Sequence, residues 1–447
     1  MHIGLDFGTT TTVASVFDGR TIRLIPLDPS DVTPTVMRSV LLVSRSGELM
    51  VGRTAIDHYN ASNVGRAIEY KDVMLGVLQM HFADMTITRD IHAVVDANAP
   101  ARLFQSLKTA LRDPSYSSTD VFGTRWSVEE IVAALLREVR RRAEEYLGEP
   151  IDGLTVGRPV HYTDTPAGDE LVLARMRRAC ELAGLPNVSF VEEPVAAAYA
   201  FKQQLAEPRC VFVFDFGGGT LDTTVMLLDP RDRPAVLATG GVSIGGDLLD
   251  SRIVTGALLP YFGAGAVLGP RKLPLPAFIL EHMVDWQSIA ELNRPNTWAL
   301  VEQAMEAADR PREMRALRTL VRQNYGLPLY TAVEQAKRQL SSELVATIAL
   351  DHDNLAFAHE LARVEFERLI GPEIRTIAGC VDQTLRDAGA QPADIDIALR
   401  TGGSSRIPRC VRLLAERFGA ERLHAMDSFT SVGAGLGVAA WEQARQV

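Results

Sequence analysis

Short apolar runs alternate with longer amphipathic stretches along this chain. Residues 210–214 form a continuous apolar run that leads into a glycine turn, a pattern typical of a buried strand. Residues 128–147 instead place apolar side chains at helical spacing, with Ser127 as the expected N-cap and Gly148 just past the expected end. Because both patterns alternate along the chain, the sequence predicts an α/β fold.

The same patterns predict further elements around these two. A strand, a tight Gly-Thr turn and a second strand are expected over residues 4–16. Further strands are expected at residues 154–156, 223–228 and 397–399. Helices are expected at residues 167–183 and 408–418.

One short motif occurs twice. Residues 5–10 read Leu-Asp-Phe-Gly-Thr-Thr, and residues 214–220 read Phe-Asp-Phe-Gly-Gly-Gly-Thr. Each copy is an apolar strand end, an aspartate, a glycine turn and a hydroxyl residue, so the pair predicts two related lobes that each offer a loop to a shared cleft. We expect lobe I at residues 1–205, lobe II at 206–430 and a C-terminal helix that returns to lobe I at 431–447.

A segment within lobe II differs in composition from its surroundings. Residues 262–276 are rich in glycine and proline, and the two helical patterns that follow are expected to be broken by Pro295 and Pro311. We interpret residues 255–330 as an insertion to which the sequence assigns no chemistry.

Composition and charge exclude several classes of protein. The 447 residues are 47% hydrophobic and carry a net charge of -10, which argues against a nucleic-acid-binding protein. The four cysteines form no C-x-x-C pair, and no apolar run is long enough for a membrane span. The N-terminus shows no signal-peptide pattern, so we expect a cytoplasmic protein without nucleic-acid or membrane partners.

The two glycine turns predict phosphate binding. Glycine lets backbone N–H groups converge and lets a phosphate approach closely. Asp6 and Asp215 precede the turns, and carboxylates at this position suit a magnesium ion between them and the phosphates. No G-x-x-x-x-G-K-[ST] motif is present in the chain.

Six segments together resemble the nucleotide-binding domain of DnaK-type heat-shock chaperones. They are residues 4–10, 191–198, 214–222, 334–342, 402–408 and 427–437, and they occur in the family's order. The resemblance implies an actin-like ATPase (ribonuclease H-like) fold, with two lobes around a nucleotide cleft. Glycerol kinase and hexokinase relatives share the phosphate loops but lack the Glu-x-Ala-Lys-Arg-x-Leu-Ser helix. The sequence shows no substrate-binding domain, which makes it similar to the YegD-like putative chaperones.

The resemblance implies a role for each matching residue. Asp6 and Asp215 would hold Mg²⁺, Glu193 would assist, and Asp222 or Glu193 would position the attacking water. Phosphate contacts would come from Gly8, Thr9, Thr10, Gly217, Gly218, Gly219, Thr220, Gly245 and Gly246, with Thr220 also catalytic. Adenosine contacts would come from Glu334, Lys337, Arg338, Ser341, Gly402, Gly403, Ser404, Arg406 and Asp427. The first four of these follow helical spacing, so we expect them on one face of a helix.

Two lysines compete for the role of catalytic lysine. Lys108, in Leu-Phe-Gln-Ser-Leu-Lys-Thr-Ala-Leu-Arg, resembles the family's L-F-x-x-K-x-L-x-x-R pattern with one residue inserted. Lys71 lies farther upstream in Glu-Tyr-Lys-Asp. We favour Lys108 and keep Lys71 as the alternative.

The leading hypothesis is a monomeric ATP-binding protein that hydrolyses ATP slowly and acts in a chaperone-like role with protein clients or co-chaperones. A nucleotide-sensing scaffold without turnover, a small-molecule kinase on the same fold and a filament former of the bacterial-actin type remain alternatives.

Overall fold

The computed structural model describes residues 1–82, 85–163, 165–202, 204–352, 354–426 and 430–445, and within 72–95 it describes the backbone alone. These residues form two compact units. Unit 1 contains Met1–His58, Arg102–Leu249 and Ile370–Val447, and unit 2 contains Tyr59–Ala101 and Asp250–Leu369. The two units are divided by how densely their residues pack and not by the duplicated motif. The predicted boundaries of lobe I and lobe II therefore stay a prediction.

The strands follow one another along the described chain in this order: β1 His2–Phe7, β2 Thr11–Phe17, β3 Ile22–Ile25, β4 Met37–Arg38, β5 Leu41–Ser44, β6 Leu49–Val51, β7 Tyr70–Phe82, β8 Met85–Asp96, β9 Ala101–Phe104, β10 Ser118–Val121, β11 Thr124–Ser127, β12 Gly153–Arg158, β13 Val188–Glu192, β14 Arg209–Phe216, β15 Leu221–Leu228, β16 Ala235–Val242, β17 Val267–Leu268, β18 Leu273–Pro274, β19 Val345–His352, β20 Leu355–Ala362, β21 Ile397–Thr401 and β22 Leu423–Ala425.

The α-helices of the described chain are α1 Gly52–Asn63, α2 Leu107–Arg112, α3 Val128–Leu147, α4 Pro166–Leu182, α5 Glu193–Lys202, α6 Gly246–Ile253, α7 Ala277–Glu281, α8 Trp286–Glu291, α9 Pro295–Ala307, α10 Pro311–Arg322, α11 Gly326–Gln339, α12 Arg363–Leu369, α13 Gly371–Asp387, α14 Pro408–Phe418 and α15 Ser431–Ala444. No helix in the described part of the chain is both long and apolar enough to cross a membrane.

Two sheets of unit 1 share one topology. The first has the strand order β13-β12-β1-β2-β3, with β4 beside β2, and the second has the order β22-β21-β14-β15-β16. In each sheet the central strand pairs antiparallel with the next strand along the chain and parallel with a strand from much later in the sequence. The duplicated sequence motif therefore corresponds to a duplicated structural unit, as predicted.

The two motif turns close with the same hydrogen bond. The N–H of Gly8 donates to the carbonyl of Thr11 at 2.9 Å, and the N–H of Gly217 donates to the carbonyl of Thr220 at 3.0 Å. Both glycines follow a buried phenylalanine that ends β1 or β14, so a short apolar strand leads directly into each turn. The strand-turn-strand prediction is confirmed at both places.

Helix α3 forms as its caps predict. Ser127 accepts from the N–H of Glu130, whose side chain accepts from Ser127 in return, and Gly148 ends the helix in the left-handed conformation with φ of 73°. The apolar face of α3 is buried in the core that packs on the first sheet, together with parts of α2 and α4. These contacts position α2, which carries one of the two candidate lysines.

Helix α15 packs against β1, β2 and α5, also within unit 1. Its glycines allow very close approach: a Cβ on Gly435 would lie 1.6 Å from the carbonyl oxygen of Ala196 in α5. Small residues at this crossing let the two backbones touch, which holds α5 and its first residue, Glu193, in a fixed place beside the first sheet.

The structure corrects two local expectations. Pro295 and Pro311 do not break helices but begin α9 and α10, because the first turn of a helix needs no N–H from proline. Ser341 does not share a helix face with the other α11 residues, because α11 ends at Gln339. Residues 191–198 divide between β13 and α5, and Glu193 is the first residue of α5.

Candidate functional site

The two glycine turns of unit 1 face each other. A Cβ on Gly218 would lie 2.3 Å from the hydroxyl oxygen of Thr10, and a Cβ on Gly219 would lie 2.8 Å from the hydroxyl oxygen of Thr9. Only glycine permits this approach without moving the threonines. The arrangement brings four of the predicted phosphate-binding residues into one small region lined by hydroxyl groups and backbone.

The second turn is braced by the start of α6 and by the segment after β21. The N–H groups of Gly246 and Asp247 donate to the carbonyls of Gly217 and Gly218 at 3.0 and 2.9 Å. The hydroxyl of Ser404 also donates to the carbonyl of Gly217, at 3.0 Å. The turn is therefore held from two sides, which fixes the direction of its backbone groups.

A loop predicted to contact adenosine lies directly behind this turn. Gly402 adopts φ of 79°, and a Cβ there would lie 2.3 Å from the carbonyl oxygen of Phe216. Gly403–Arg406 forms one turn of 3-10 helix, in which Ser404 is buried and Arg406 is exposed. Positive φ and close backbone approach at Gly402 both require glycine.

Four carboxylates gather around a single lysine in unit 1. Asp215 is buried, and burial raises its pKa well above the usual value, assisted by the charges of Glu193, Asp222 and Asp6, while Lys108 lowers it. Burial and the charge of Glu193 raise the pKa of Asp6 to about 7, against a lowering by Lys108. An excess of buried negative charge is expensive unless a cation neutralises it.

Lys108 and Glu193 form a buried ion pair. The Lys108 Nζ donates to Glu193 Oε1, and both side chains are close to nine-tenths buried. Burial by itself lowers the pKa of Lys108. The charges of Glu193, Tyr162 and Asp6 raise it by more, so the pKa lies above the ordinary value of a lysine. Lys71, the alternative, lies exposed in β7 of unit 2.

Asp222 lies in β15, directly after the second turn, and is held by two hydrogen bonds. Its Oδ1 accepts from the N–H of Val160 at 3.0 Å, and its Oδ2 accepts from the hydroxyl of Thr220 at 3.0 Å. Burial and the charge of Glu193 raise its pKa to about 7, although both hydrogen bonds and Lys108 lower it. A carboxylate with a pKa near neutrality is suited to accept a proton.

The remaining adenosine candidates lie in unit 2 or outside the described residues. On α11, Lys337 Nζ donates to Asp250 Oδ2 at 2.7 Å, in a largely buried pair. Arg338 lies 3.8 Å from Glu334, and its side chain is 56% exposed, so it remains accessible to a ligand. Asp427 falls outside the described residues.

Three features of these surroundings escaped the sequence reasoning. They are the backbone N–H of Val160 as a donor to Asp222, Asp250 as the partner of Lys337, and the buried Tyr162, whose phenol contributes to the electrostatics of Lys108. The first two depend on distant parts of the chain and leave no sequence signal.

The carboxylates suit a cation that keeps much of its water shell. No group of three or more acidic, histidine or cysteine side chains among the described residues converges closely enough to enclose a metal ion. Magnesium needs no such cage, because it retains several waters and binds through one or two carboxylates. The raised pKa values of Asp6 and Asp215 also indicate surplus negative charge that a divalent cation would neutralise.

The phosphate-binding core of the actin-like ATPases consists of two sheets with the same topology. Each sheet carries an aspartate and a glycine turn at the end of its central strand. The chain belongs to the Hsp70 family. The family model, described as Hsp70 protein, matches residues 2–261 and 320–441, which cover most of the chain. The unmatched stretch between them lies within the segment that the sequence marked as an insertion.

Curated relatives agree with this assignment at low identity. The chain is 27% identical to the chaperone protein DnaK of Thermus thermophilus, over 97% of this chain and 60% of that protein. It is 26% identical to the heat shock 70 kDa protein BIP3 of Oryza sativa subsp. japonica, over 94% of this chain and 53% of that protein. The chain therefore spans little more than half the length of these relatives.

Proposed function

We propose that this protein binds ATP with Mg²⁺ in unit 1 and hydrolyses it slowly, as the nucleotide-dependent part of a chaperone-like activity. The observation that carries the proposal is the meeting of the two glycine turns, with Gly218 against Thr10, beside a cluster of four carboxylates and one lysine. The family assignment and the DnaK relatives support ATP as the nucleotide.

In this proposal the turns supply fixed donors for the phosphates. The hydroxyls of Thr9 and Thr10 and the backbone of Gly217–Gly219 would bind the transferring phosphoryl group, and Thr220 completes the turn. Donors fixed before the reaction stabilise the charge that develops during phosphoryl transfer, and such preorganised stabilisation is commonly the largest contribution to catalysis. Gly246, the first residue of α6, braces the turn by its hydrogen bond to Gly217, and Gly245 lies in close contact with Gly218.

Two of the carboxylates are assigned to cation binding, and a third is assigned to the attacking water. Asp6 and Asp215 would hold Mg²⁺ through its water ligands, and the ion would supply charge neutralisation at the phosphates. Asp222 would orient the attacking water and accept its proton, because its pKa lies near neutrality and both of its oxygens are held by hydrogen bonds. Lys108, paired with Glu193, would place a fixed positive charge beside the phosphates.

Two finer assignments remain proposals. We propose adenosine contacts because the sequence motif matches and because Arg338 is partly exposed. The residues concerned are Glu334, Lys337, Arg338 and Ser341. The proposal of protein clients and co-chaperones rests on the relatives, which are a chaperone protein and a heat shock protein.

The experiment is ATP turnover by the purified chain with Mg²⁺, compared with Asp215→Asn. The matched control is Asp232→Asn, on the exposed loop between β15 and β16. We expect slow turnover by the wild type and by the control, and a loss of about 100-fold or more in Asp215→Asn. Tight ATP binding without turnover by the wild type would indicate a nucleotide sensor, and a phosphorylated small molecule would indicate a kinase.

A further inference from the structure

Arg175 is a buried arginine on α4 to which the proposed reaction assigns no role. Its side chain is 9% exposed, and it lies on the face of the helix that also buries Val172 and Met176. An arginine is almost never buried unless its charge is paired and its N–H groups have acceptors. The acceptors of this guanidinium therefore indicate what the residue holds in place.

The guanidinium binds the C-terminal end of α2. Its Nη1 donates to the carbonyl of Leu111 at 3.0 Å and to the carbonyl of Asp113, the residue after the helix, at 2.9 Å. The last carbonyls of a helix lack partners within it and carry partial negative charge, so a cation there is stabilising. The Nε lies 3.5 Å from the carboxylate of Glu129 in the first turn of α3. Arg175 therefore joins α2 to both α3 and α4.

Helix α2 is poorly fixed by its own sequence. It contains six residues, too few for a helix that is stable in isolation. The preceding Ser106 adopts the left-handed conformation with φ of 53°, which is unfavourable for a residue other than glycine, and its side chain forms no cap hydrogen bond. The residue inserted into the family's pattern also lies here, between Phe104 and Lys108. Apolar packing and the bonds from Arg175 therefore hold the helix in place.

Lys108 is the second residue of α2 and depends on this helix for its position. Its side chain is buried and reaches Glu193 on α5. Leu111 follows Lys108 by about one helical turn, so a shift of the C-terminal end of α2 displaces the ammonium as well. A misplacement of about 1 Å in a group that acts on the transition state can slow a reaction about 100-fold.

We propose that Arg175 is a positioning residue for Lys108: by binding the carbonyls of Leu111 and Asp113 it fixes α2, which keeps the ammonium buried beside Glu193 and available to a bound phosphate. The effect of Arg175 on turnover rests on the proposed function. Its effect on the burial of Lys108 requires no nucleotide, so the two effects can be measured separately.

Four variants separate positioning from a general loss of stability. Arg175→Met removes the guanidinium and keeps an apolar stem, whereas Arg175→Lys keeps the charge on a shorter side chain without the planar fork of donors. Arg178→Met is the control for an exposed arginine on the same helix. Val139→Ala is the control for destabilisation, because it truncates a buried side chain of α3 in the same core without removing a hydrogen bond to α2.

Acetylation of the nucleotide-free protein reports how well Lys108 is held. The chain has only five lysines, so mass spectrometry can follow each of them, and the exposed Lys71 and Lys272 serve as internal references. A buried lysine reacts only through local opening, and all rates are measured below the onset of thermal unfolding of every variant. We expect acetylation of Lys108 to be about 10-fold faster in Arg175→Met, intermediate in Arg175→Lys and unchanged in both controls.

Steady-state hydrolysis of MgATP measures the consequence for the reaction. We expect kcat of Arg175→Met to fall about 10-fold or more with KM within about 2-fold of the wild type, because a displaced Lys108 loses contacts made in the transition state. Arg175→Lys should recover part of kcat. Both controls should keep the kcat of the wild type, which a purely structural role of Arg175 would also predict for Arg175→Met.

Three results would overturn the inference while the proposed ATPase stands. They are acetylation of Lys108 at the wild-type rate in Arg175→Met, equally fast acetylation in Val139→Ala, and faster acetylation in Arg175→Met with unchanged kcat. If the wild type hydrolyses no ATP, the proposed function fails, and acetylation alone decides whether Arg175 positions the lysine. If Arg175→Met does not fold, Arg175→Lys is judged against the same two controls.

Discussion

The backbone N–H of Val160 donates a 3.0 Å hydrogen bond to the carboxylate of Asp222. Val160 lies after β12 of the first sheet and Asp222 lies in β15 of the second, so one side chain joins the two duplicated halves of unit 1. The same carboxylate accepts from Thr220 in the second glycine turn. Asp222 therefore links the proposed phosphate turn to the segment that carries Tyr162.

Asp222 can be tested by two substitutions that separate charge from hydrogen bonding. Asp222→Asn keeps an acceptor for Val160, so we expect little loss of stability but slower ATP turnover, because an amide cannot take a proton from water. Asp222→Ala leaves the buried N–H unpaired, which should cost about 1–3 kcal/mol in the free energy of unfolding. Chemical denaturation and turnover assays measure the two effects. Full turnover by Asp222→Asn would remove Asp222 from the proposed water-handling role.

The choice between Lys108 and Lys71 can be decided directly. Lys108→Met removes the cation of a buried pair and leaves the Glu193 charge uncompensated, which should cost about 3–5 kcal/mol and abolish turnover. Lys71→Met changes an exposed side chain and should leave both properties unchanged. Turnover and thermal unfolding of the two variants are measured together. Loss of turnover in the Lys71 variant alone would reverse the assignment.

Gly245 and Gly217 form a matched pair for the close approach at the second turn. A Cβ on Gly245 would lie 2.1 Å from the carbonyl oxygen of Gly218, a backbone atom that cannot rotate away, whereas a Cβ on Gly217 would meet nothing closer than 3.8 Å. Gly245→Ala should therefore destabilise the protein by about 1–3 kcal/mol and weaken MgATP binding, while Gly217→Ala changes stability little. Thermal unfolding and titration calorimetry report the two quantities. Equal stability and equal MgATP affinity of the two variants would show that the turn can accommodate a Cβ at position 245.

Stability without nucleotide should fall as pH rises towards neutrality. The pKa values of Asp6 and Asp222 are raised to about 7 in the folded protein from 3.8, so between these values the folded chain binds more protons than the unfolded chain. Each group can lower the free energy of unfolding by at most about 1.4 kcal/mol per pH unit in this window. We expect wild type to lose more stability than Asp222→Asn between about pH 5 and about pH 7, as measured by denaturation.

The reference for the pH dependence of stability is the same series of denaturation measurements in the presence of MgATP. A bound cation favours the charged carboxylates, so the decline with pH should be reduced, and MgATP binding near pH 6 to 7 should release protons, as calorimetry in two buffers detects. Parallel pH profiles of wild type and Asp222→Asn would show that the carboxylate is not protonated in the folded protein.

The crossing of α15 and α5 predicts opposite effects at two helical glycines. Gly435→Ala places a Cβ 1.6 Å from the carbonyl oxygen of Ala196, so the helices must separate, and we expect a loss of more than about 3 kcal/mol. Gly379, in α13, has nothing within 4 Å of a Cβ, so Gly379→Ala should stabilise by about 0.5–1 kcal/mol through helix propensity. Thermal unfolding of both variants tests the packing, and a tolerated Gly435→Ala would contradict the close crossing.

The sequence by itself determined the local elements and the candidate turns. Helices α3 and α14 begin and end at the predicted residues, and both strand-turn-strand units lie where the repeated motif placed them. Apolar spacing, caps and glycine turns act over a few residues, so a single sequence reports them. The same local reasoning misread Pro295 and Pro311, because a proline inside a helical pattern and a proline at the first turn look alike until the preceding backbone is known.

Only the tertiary structure decided which distant groups meet. It paired Lys108 with Glu193, gave Asp222 the N–H of Val160 and joined Lys337 to Asp250. These contacts join positions far apart in the chain, and their energetics depend on burial and on neighbouring charge, which no local pattern encodes. The sequence therefore specified which groups were available for phosphate chemistry, and the packing of sheets and helices determined which of them were brought together.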